Sequence, residues 1–328
     1  MQKMTKGNTN LTSPPLEGLG EACIKIGIIG MSPGNAHPYS WSAIINGVFD
    51  GNEITKVGYP AVTNYLEANR DTLGIPDAKV VCVWTQDRKI SESIAKTSNI
   101  PTIVDNLEDM IPLVDAVILS RDDPENHVEM AKPFLDAGIP IFIDKPLAIT
   151  KEDLQYFSEE NAKGKLIMSC SSMRYANEAR IVKQELNALG KLELINATGK
   201  KDWIKYGVHL MEAVFSLLDD PQVVSVKHVG ETNKDIVIVE FEDGLILNLN
   251  IFMDIPGTFQ VSVFGQNAWR LIDIKNSYSM FRDNIIEFIR SVKEGKSRLE
   301  FSKTENIIRT LIGAIDSLEQ HGKTIKLN

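Results

Sequence analysis

The sequence predicts an α/β protein of two parts, a doubly wound parallel sheet followed by an α+β unit with a mainly antiparallel sheet. Three observations carry this. From Cys23 to Ile143 short apolar runs alternate with helix-period segments, the rhythm of a parallel sheet covered on both faces. After Pro146 the rhythm changes to strands in quick succession between Val223 and Ile274, two of them joined by the hairpin turn Glu242-Asp243-Gly244. The length, 328 residues, suits two domains of ordinary size.

Residues 1–22 are polar and without periodicity, and are expected to form a mobile arm. Ile24–Ile29 is a short apolar run ending in Gly30 and reads as a buried strand. Met31-Ser32-Pro33-Gly34-Asn35 is a turn. Pro38–Phe49 is a helix with Trp41, Ile44, Ile45 and Val48 at helical spacing and Pro near its first turn. Residues 50–78 look irregular, with Tyr65-Leu66-Glu67 a short helix. Val80–Trp84, Pro101–Val104, Ala116–Leu119 and Ile139–Ile143 are strands. Ile90–Lys96, Leu107–Ile111 and Glu125–Ala137 are the helical segments between them. Right-handed crossovers then place a ligand at the carboxyl ends of the strands.

Beyond Pro146 the expected order is helix Lys151–Asn161, strand Lys165–Ser169, helix Ala176–Leu189, strand Leu192–Thr198 and helix Tyr206–Leu218. Strands Val223–Val229, Asp235–Phe241, Leu245–Phe252, Phe259–Phe264 and Trp269–Ile274 follow. Helices Ser279–Glu294 and Lys303–Gln320 close the chain. The expected division is an arm (1–22), a dinucleotide domain (23–146) and a substrate and oligomerisation domain (147–328).

Composition excludes several classes. Hydrophobic residues at 43% and charged residues at 24% are globular values, not those of a disordered chain. Lys+Arg total 35 against Asp+Glu 44, a formal charge of −9 with no basic block, so nucleic acid and anionic membranes are not expected partners. No apolar run is long enough to span a bilayer, and the N-terminus lacks the apolar core of a signal peptide. Cys23, Cys82 and Cys170 are far apart and odd in number. They fit a reducing, cytoplasmic setting, with no metal site and no disulfide framework.

Between the first strand and first helix lie Gly27, Gly30, Ser32, Gly34 and Asn35. In a dinucleotide-binding turn the glycines allow a tight bend and a close backbone approach to pyrophosphate, which then faces the helix N-terminus. Ser32 stands where the second glycine is usual, and Gly34 is displaced. This assigns Gly30, Met31, Ser32, Gly34 and Asn35 to a cofactor. The second strand normally ends in an acidic residue for the ribose hydroxyls. Here that place falls on Thr85, followed by Asp87, Arg88 and Lys89. Thr85 and Arg88 are therefore candidate contacts, nearer to what a 2′-phosphate would want, and NAD and NADP both stay open. The argument requires Val80–Trp84, not 54–60, to be the second strand. Ser120, Asp144 and Lys145, at later strand ends, complete the cofactor set.

Asp144-Lys145-Pro146 follows the strand Ile139–Ile143 at the ligand crevice, and Pro146 restricts Lys145 to an extended conformation. His127, in Ser120–His127, faces the same edge. Lys205, His209, Glu212 and Ser216 fall on one face of a helix. His37, in Asn35–Trp41, is placed to line the pocket.

The segments IKIGIIGMSPGN, DAVILSRDDPENH, GIPIFIDKPLAIT and YGVHLMEAVFSLL stand in the order and spacing of the Gfo/Idh/MocA oxidoreductases, which include glucose–fructose oxidoreductase and inositol dehydrogenase. The ending FIRSVKEGKSRLEFSKTENIIRTLIGAIDSLEQHGKTIKL resembles that family's final two helices, so the resemblance covers residues 24–327. It implies a Rossmann domain and a C-terminal domain with an open sheet. It also implies NAD(P)-dependent oxidation or reduction, often of sugars or cyclitols, and a homodimer or homotetramer formed through that sheet. Asp144-Lys145-Pro146 matches the family's Glu-Lys-Pro motif, which carries the catalytic-lysine role onto Lys145. His209 matches its active-site histidine. The chain departs from the pattern at Ser32 for Gly, Asp144 for Glu, Lys205 for Asp and Glu212 for Asp, and in the length of 50–78.

The expected chemistry follows. Lys145 holds the substrate oxygen and stabilises its developing charge, while His209 exchanges the proton. Lys205 should lower the His209 pKa by like charge and make the pocket positive, suiting a sugar-like anionic substrate unless Glu212 neutralises it. Lys205, His37, His127 and Arg174 form the expected substrate set. The alternatives are a non-catalytic NAD(P)- or sugar-sensing protein on the same fold, or a reductase of another carbonyl or an imine. Ile236, Ile238 and Glu240, with Leu245, Leu247, Leu249 and Ile251, alternate as an apolar face would.

Overall fold

The computed structural model describes residues 23–327, so the expected arm lies outside the described residues. The first sheet is built from β1 (Ile24–Ile29), β2 (Ala78–Trp84), β3 (Thr102–Ile103), β4 (Ala116–Leu119), β5 (Ile141–Ile143) and β6 (Ile167–Ser169). All pairings are parallel, in the order β3-β2-β1-β4-β5-β6. Successive side chains serve opposite faces, as the strand period of two requires. Val117, Leu119, Ile141 and Ile143 enter one core, while Ala116, Ile118 and Phe142 enter the other.

The crossovers are α1 (His37–Asn46), α2 (Gly51–Lys56), α3 (Pro60–Glu67), α4 (Arg88–Ser98), α5 (His127–Asp136) and α6 (Lys151–Ala162). The stretch 50–78 is therefore two helices. Asp50 caps α2 by accepting from the N–H groups of Asn52 and Glu53, and Pro60 opens α3. Ile54, Val62 and Leu66 bury against the α1 side of the sheet. Residues 54–60 contribute no strand, and Ala78–Trp84 is the second strand in sequence order.

The domain boundary moves. Residues 151–169 were expected beyond it, yet β6 pairs with β5 from Ile141↔Ile167 to Ile143↔Ser169, and α6 buries Leu154 and Phe157 in the same core as α5. Pro146 interrupts the local chain but not the sheet, because α6 supplies an ordinary crossover back to it.

The second sheet contains β7 (Leu192–Lys200), β8 (Val223–His228), β9 (Lys234–Phe241), β10 (Ile246–Phe252), β11 (Phe259–Gly265), β12 (Trp269–Asp273) and β13 (Ile325–Lys326). Its order is β12-β11-β7-β10-β9-β8-β13, antiparallel except for β7 with β10. Helices α7 (Asn177–Glu185), α8 (Val208–Leu217), α9 (Ser277–Glu294) and α10 (Phe301–Glu319) complete the chain. Leu247, Leu249 and Ile251 point inward with Val237 and Val239 into the core shared with α8 and α10. Ile236 and Ile238 lie on the opposite face, so the alternation in 235–252 divides between two surfaces. That outer face carries Trp269 and Leu271, which are 60% and 51% exposed.

Helix α9 crosses back to the first sheet. Its Ile285, Ile286, Phe288 and Ile289 bury against Phe142, Met168 and Cys170, with the Phe142 and Phe288 rings 5.8 Å apart. Among the described residues no helix is long and apolar enough to cross a membrane.

Candidate active site

The crevice lies at the carboxyl ends of the first sheet. At the end of β1, Gly30 donates to the Trp84 carbonyl, and a Cβ on Gly30 would stand 2.6 Å from Pro38 Cγ. Only glycine makes this bend against α1 without displacing Pro38. Gln86 clamps Met31 from both sides, its Oε1 accepting the Met31 N–H at 3.0 Å and its Nε2 donating to the Met31 carbonyl at 2.6 Å. Ser32 is wholly buried, so its hydroxymethyl group turns inward, donating to Asp122 Oδ1 at 2.5 Å. Gly34 is exposed at the outside of the loop.

Three other expected cofactor residues face the protein or the rim. Thr85 is buried, its hydroxyl donating to the Asp87 carbonyl at 2.6 Å and meeting Ser91 Oγ at 2.8 Å. Ser120 Oγ donates to the Ile29 carbonyl and ties β4 to β1. Arg88 lies outside, paired with Asp105 at 2.6 Å and Glu92 at 3.5 Å.

Asp144 closes β5 and organises its surroundings. Its Oδ1 accepts the Lys145 N–H at 2.8 Å; its Oδ2 accepts from Asn35 Nδ2 at 3.1 Å and His37 Nδ1 at 2.6 Å. Burial by itself would raise the Asp144 pKa. The His37 imidazole, foremost, and Lys145 overcome that and hold it at about 2. His37 is in turn packed flat on Trp41 at 4.3 Å and edge-on to Phe281 at 5.2 Å. Asn35 Oδ1 takes its backbone N–H at 2.8 Å. The Lys145–Pro146 peptide is cis.

The other wall comes from the second domain. A π-helical turn, Trp203–Gly207, leads into α8 and is capped by Asp202. Trp203 Nε1 anchors it to the Leu311 carbonyl, and a Cβ on Gly207 would meet the Trp203 ring at 2.6 Å. The wider π turn breaks the regular helical spacing expected between Lys205 and His209. Lys205 Nζ reaches Asp122 Oδ1 at 3.3 Å.

His209, the second residue of α8, pairs through Nδ1 with Ser171 Oγ at 2.6 Å, just beyond β6. Its Nε2 has no hydrogen-bond partner among the described residues. Burial, and next the Lys145 ammonium, hold the His209 pKa well below the usual imidazole value, with Asp144 opposing. The direction matches the sequence argument, but the leading like charge is Lys145 rather than Lys205.

Asp122 joins these walls. It accepts from Ser32, stands 3.8 Å from Lys145 Nζ and 3.3 Å from Lys205 Nζ. Tyr206 lies beside it, with Lys145 Nζ 5.7 Å and Lys201 Nζ 4.5 Å from the ring centre. Sequence reasoning missed Asp122, Tyr206, Lys201, Ser171 and Gln86. The usable signal for Asp122 was its place just after β4, at a strand's carboxyl end.

Two expected substrate contacts are occupied elsewhere. His127 is fully buried, with ring nitrogens 3.0 Å from the Leu147 and Arg121 carbonyls. Arg174 is buried between Glu212 at 2.6 Å and Asp220 at 2.7 Å. Its fork fits carboxylates bidentately, and Glu212 is thereby committed to Arg174 and the Ser171 N–H, not to Lys205. Among the described residues no group of three or more His, Cys, Asp or Glu side chains could hold a metal ion. Cys23, Cys82 and Cys170 are free thiols.

Residues 24–171 match the sequence profile described as "Oxidoreductase family, NAD-binding Rossmann fold", that of Gfo/Idh/MocA. This domain belongs to the Gfo/Idh/MocA oxidoreductases. The cradle fits the dinucleotide of such a Gfo/Idh/MocA domain. The strand order is that of the dinucleotide fold, and Gly30 permits the tight turn between β1 and α1. Buried Ser32 leaves the cradle clear.

Solved structures share the architecture over more than nine-tenths of the chain. Myo-inositol dehydrogenase from Lactobacillus casei, in complex with NAD(H) and myo-inositol, is 16% identical, with a TM-score of 0.73 over 93% of this chain and 97% of that one. Myo-inositol 2-dehydrogenase from Lactobacillus plantarum is 14% identical, with a TM-score of 0.74 over 93% and 99%. GenD2 from gentamicin A biosynthesis, in complex with NAD, is 14% identical, with a TM-score of 0.75 over 96% and 99%. At these identities the likeness is one of fold. No protein of curated function matches the chain by sequence.

Proposed function

We propose that the protein is an NAD(P)-dependent dehydrogenase or reductase of a sugar, cyclitol or sugar-derived compound, with Lys145 and His209 as its catalytic pair. The observation that carries this is their convergence on Tyr206 from different parts of the fold: Lys145 Nζ lies 5.7 Å from the centre of its ring and the His209 ring 5.1 Å from it, with His209 Nε2 free among the described residues.

The nicotinamide, when bound, accepts or supplies the hydride. Lys145 donates a hydrogen bond to the substrate oxygen and stabilises the negative charge that grows there. His209 takes the hydroxyl proton on Nε2 during oxidation and returns it during reduction. For Nε2 to carry the lone pair, Nδ1–H must donate to Ser171 Oγ, which sets the working tautomer. Asp122 supplies counter-charge for Lys145.

The test is cofactor reduction against a panel of sugars and cyclitols. Lys145→Met and His209→Asn are each expected to lower kcat/KM by about 100-fold or more on the substrate so found. Unchanged turnover in both would overturn the assignment. The exposed outer face of the second sheet, with Trp269 and Leu271, supports a homo-oligomer. Light scattering of the purified chain checks it, and a monomer at all concentrations would refute it.

A further inference from the structure

Asp122 is one carboxylate held between two ammonium groups from different domains. Oδ2 faces Lys145 at 3.8 Å and Oδ1 faces Lys205 at 3.3 Å. The Lys145 side chain is 6% exposed, Asp122 14% and Lys205 35%, so the cluster opens outward along Lys205. Beyond it, Lys201 bonds the Tyr206 hydroxyl at 2.5 Å and has no carboxylate partner among the described residues. Asp144, paired with His37, acts on Lys145 from farther away, and Asp122 is the carboxylate within 4 Å of both Lys145 and Lys205.

A substrate oxygen wedged against Lys145 would part its ammonium from Asp122 Oδ2, which lies 3.8 Å away in charge contact without a hydrogen bond. A neutral polyol doing so would leave closely spaced ammonium groups short of counter-charge, an unfavourable exchange in a shielded crevice. An entering carboxylate restores the balance. The two lysines hold the two oxygens of a single carboxylate, so the oxygens they would take from a ligand are near neighbours. A hydroxyl and the carboxylate on the adjacent carbon have that spacing.

We propose that Asp122 is a resident stand-in for the carboxylate of a 2-hydroxy sugar acid, whose hydroxyl binds Lys145 and whose carboxylate binds Lys205. This rests on the hydride-transfer reading of the same site. Oxidation turns the C2–OH into C=O, the hydride from C2 going to NAD(P)+ and the hydroxyl proton to His209. Asp122 then acts as a built-in competitor that a neutral polyol displaces poorly.

The test uses the full chain with NADH bound, D-gluconate as probe and D-glucitol, the same skeleton without the carboxylate, as control. Binding is read by calorimetry, after NADH binding itself has been measured by fluorescence. Failure to bind NADH refutes the underlying reading. With NADH bound, gluconate is expected to bind about tenfold more tightly than glucitol. Asp122→Asn should tighten gluconate by about a further tenfold and glucitol by less. Lys205→Gln, a substitution at a more exposed position, should abolish the preference. Equal affinities in the wild type, no gluconate binding at millimolar concentration, or an Asp122→Asn variant that fails to gain affinity would each overturn the proposal. Should Asp122→Asn fail to fold, retained preference in Lys205→Gln overturns it alone.

Discussion

His37 Nδ1 and Asp144 Oδ2 meet at 2.6 Å, joining the first residue of α1 to the residue that closes β5. The same carboxylate takes the Lys145 N–H, so one group fixes both the start of α1 and the backbone of the proposed catalytic lysine.

Asp144 is held at about 2, below the ordinary carboxylate value, despite burial that would raise it. A depressed carboxylate pKa contributes stability above the unfolded value of about 3.9, and that stability is lost as pH falls through the folded value. His37→Ala is therefore expected to cost on the order of 2 kcal/mol at neutral pH. The difference from wild type should narrow below about pH 4. Urea denaturation across that range measures it, and a pH-independent cost would show that His37 acts by packing alone.

The acidic limb of the oxidation profile should lie well below the usual imidazole value of about 6.5, because His209 accepts a proton only while neutral. Activity then stays flat through neutrality as pH falls. Removing the ammonium by Lys145→Met should move the His209 titration upward, read by proton NMR rather than by turnover. A downward or absent shift would contradict the like-charge cause.

Arg174→Met leaves Glu212 and Asp220 buried without their shared cation. A loss of about 3–5 kcal/mol in chemical denaturation is expected, with kcat/KM of the folded fraction changed only a few-fold. A selective rise in KM at unchanged stability would restore Arg174 to the substrate site.

Gly30→Ala places a methyl group 2.6 Å from Pro38 Cγ and forces the start of α1 away from β1. NADH affinity is expected to fall about tenfold or more, measured by its fluorescence. An unchanged affinity would mean that the bend does not position the cofactor.

Strands β1 to β12 were legible as apolar runs, as in Ala116–Leu119, or as alternating ones, as in Lys234–Phe241, whereas β13, only two residues long, was not. The pairing of β6 was not, since nothing within Ile167–Ser169 distinguishes an edge of the first sheet from a start of the second. Helix α2 was hidden by its brevity and α3 was read only in its last turn, Tyr65–Glu67, although Asp50 and Pro60 mark their starts. Lys145 and His209 were singled out through motifs, and the fold sets both beside Tyr206. Asp122 was obscured by the polar run Arg121-Asp122-Asp123-Pro124, which reads as a helix start, while its partner Lys205 lies in another domain. Arg174 and His127 were misplaced because charge in a sequence does not reveal burial. Only the fold shows that their polar atoms bond the protein itself.

The packing of α9 on Phe142 and Met168 bears on how the molecule comes into being. The segment that carries the nucleotide fold ends near residue 171, but the part of one sheet face around Phe142 and Met168 stays uncovered until residues 285–289 have been synthesised. A ribosome must therefore deliver most of the second domain before the first can finish folding. A fragment stopped at Ser171 would present apolar surface, so the recognisable half of this protein is not a part that can be cut out and used alone.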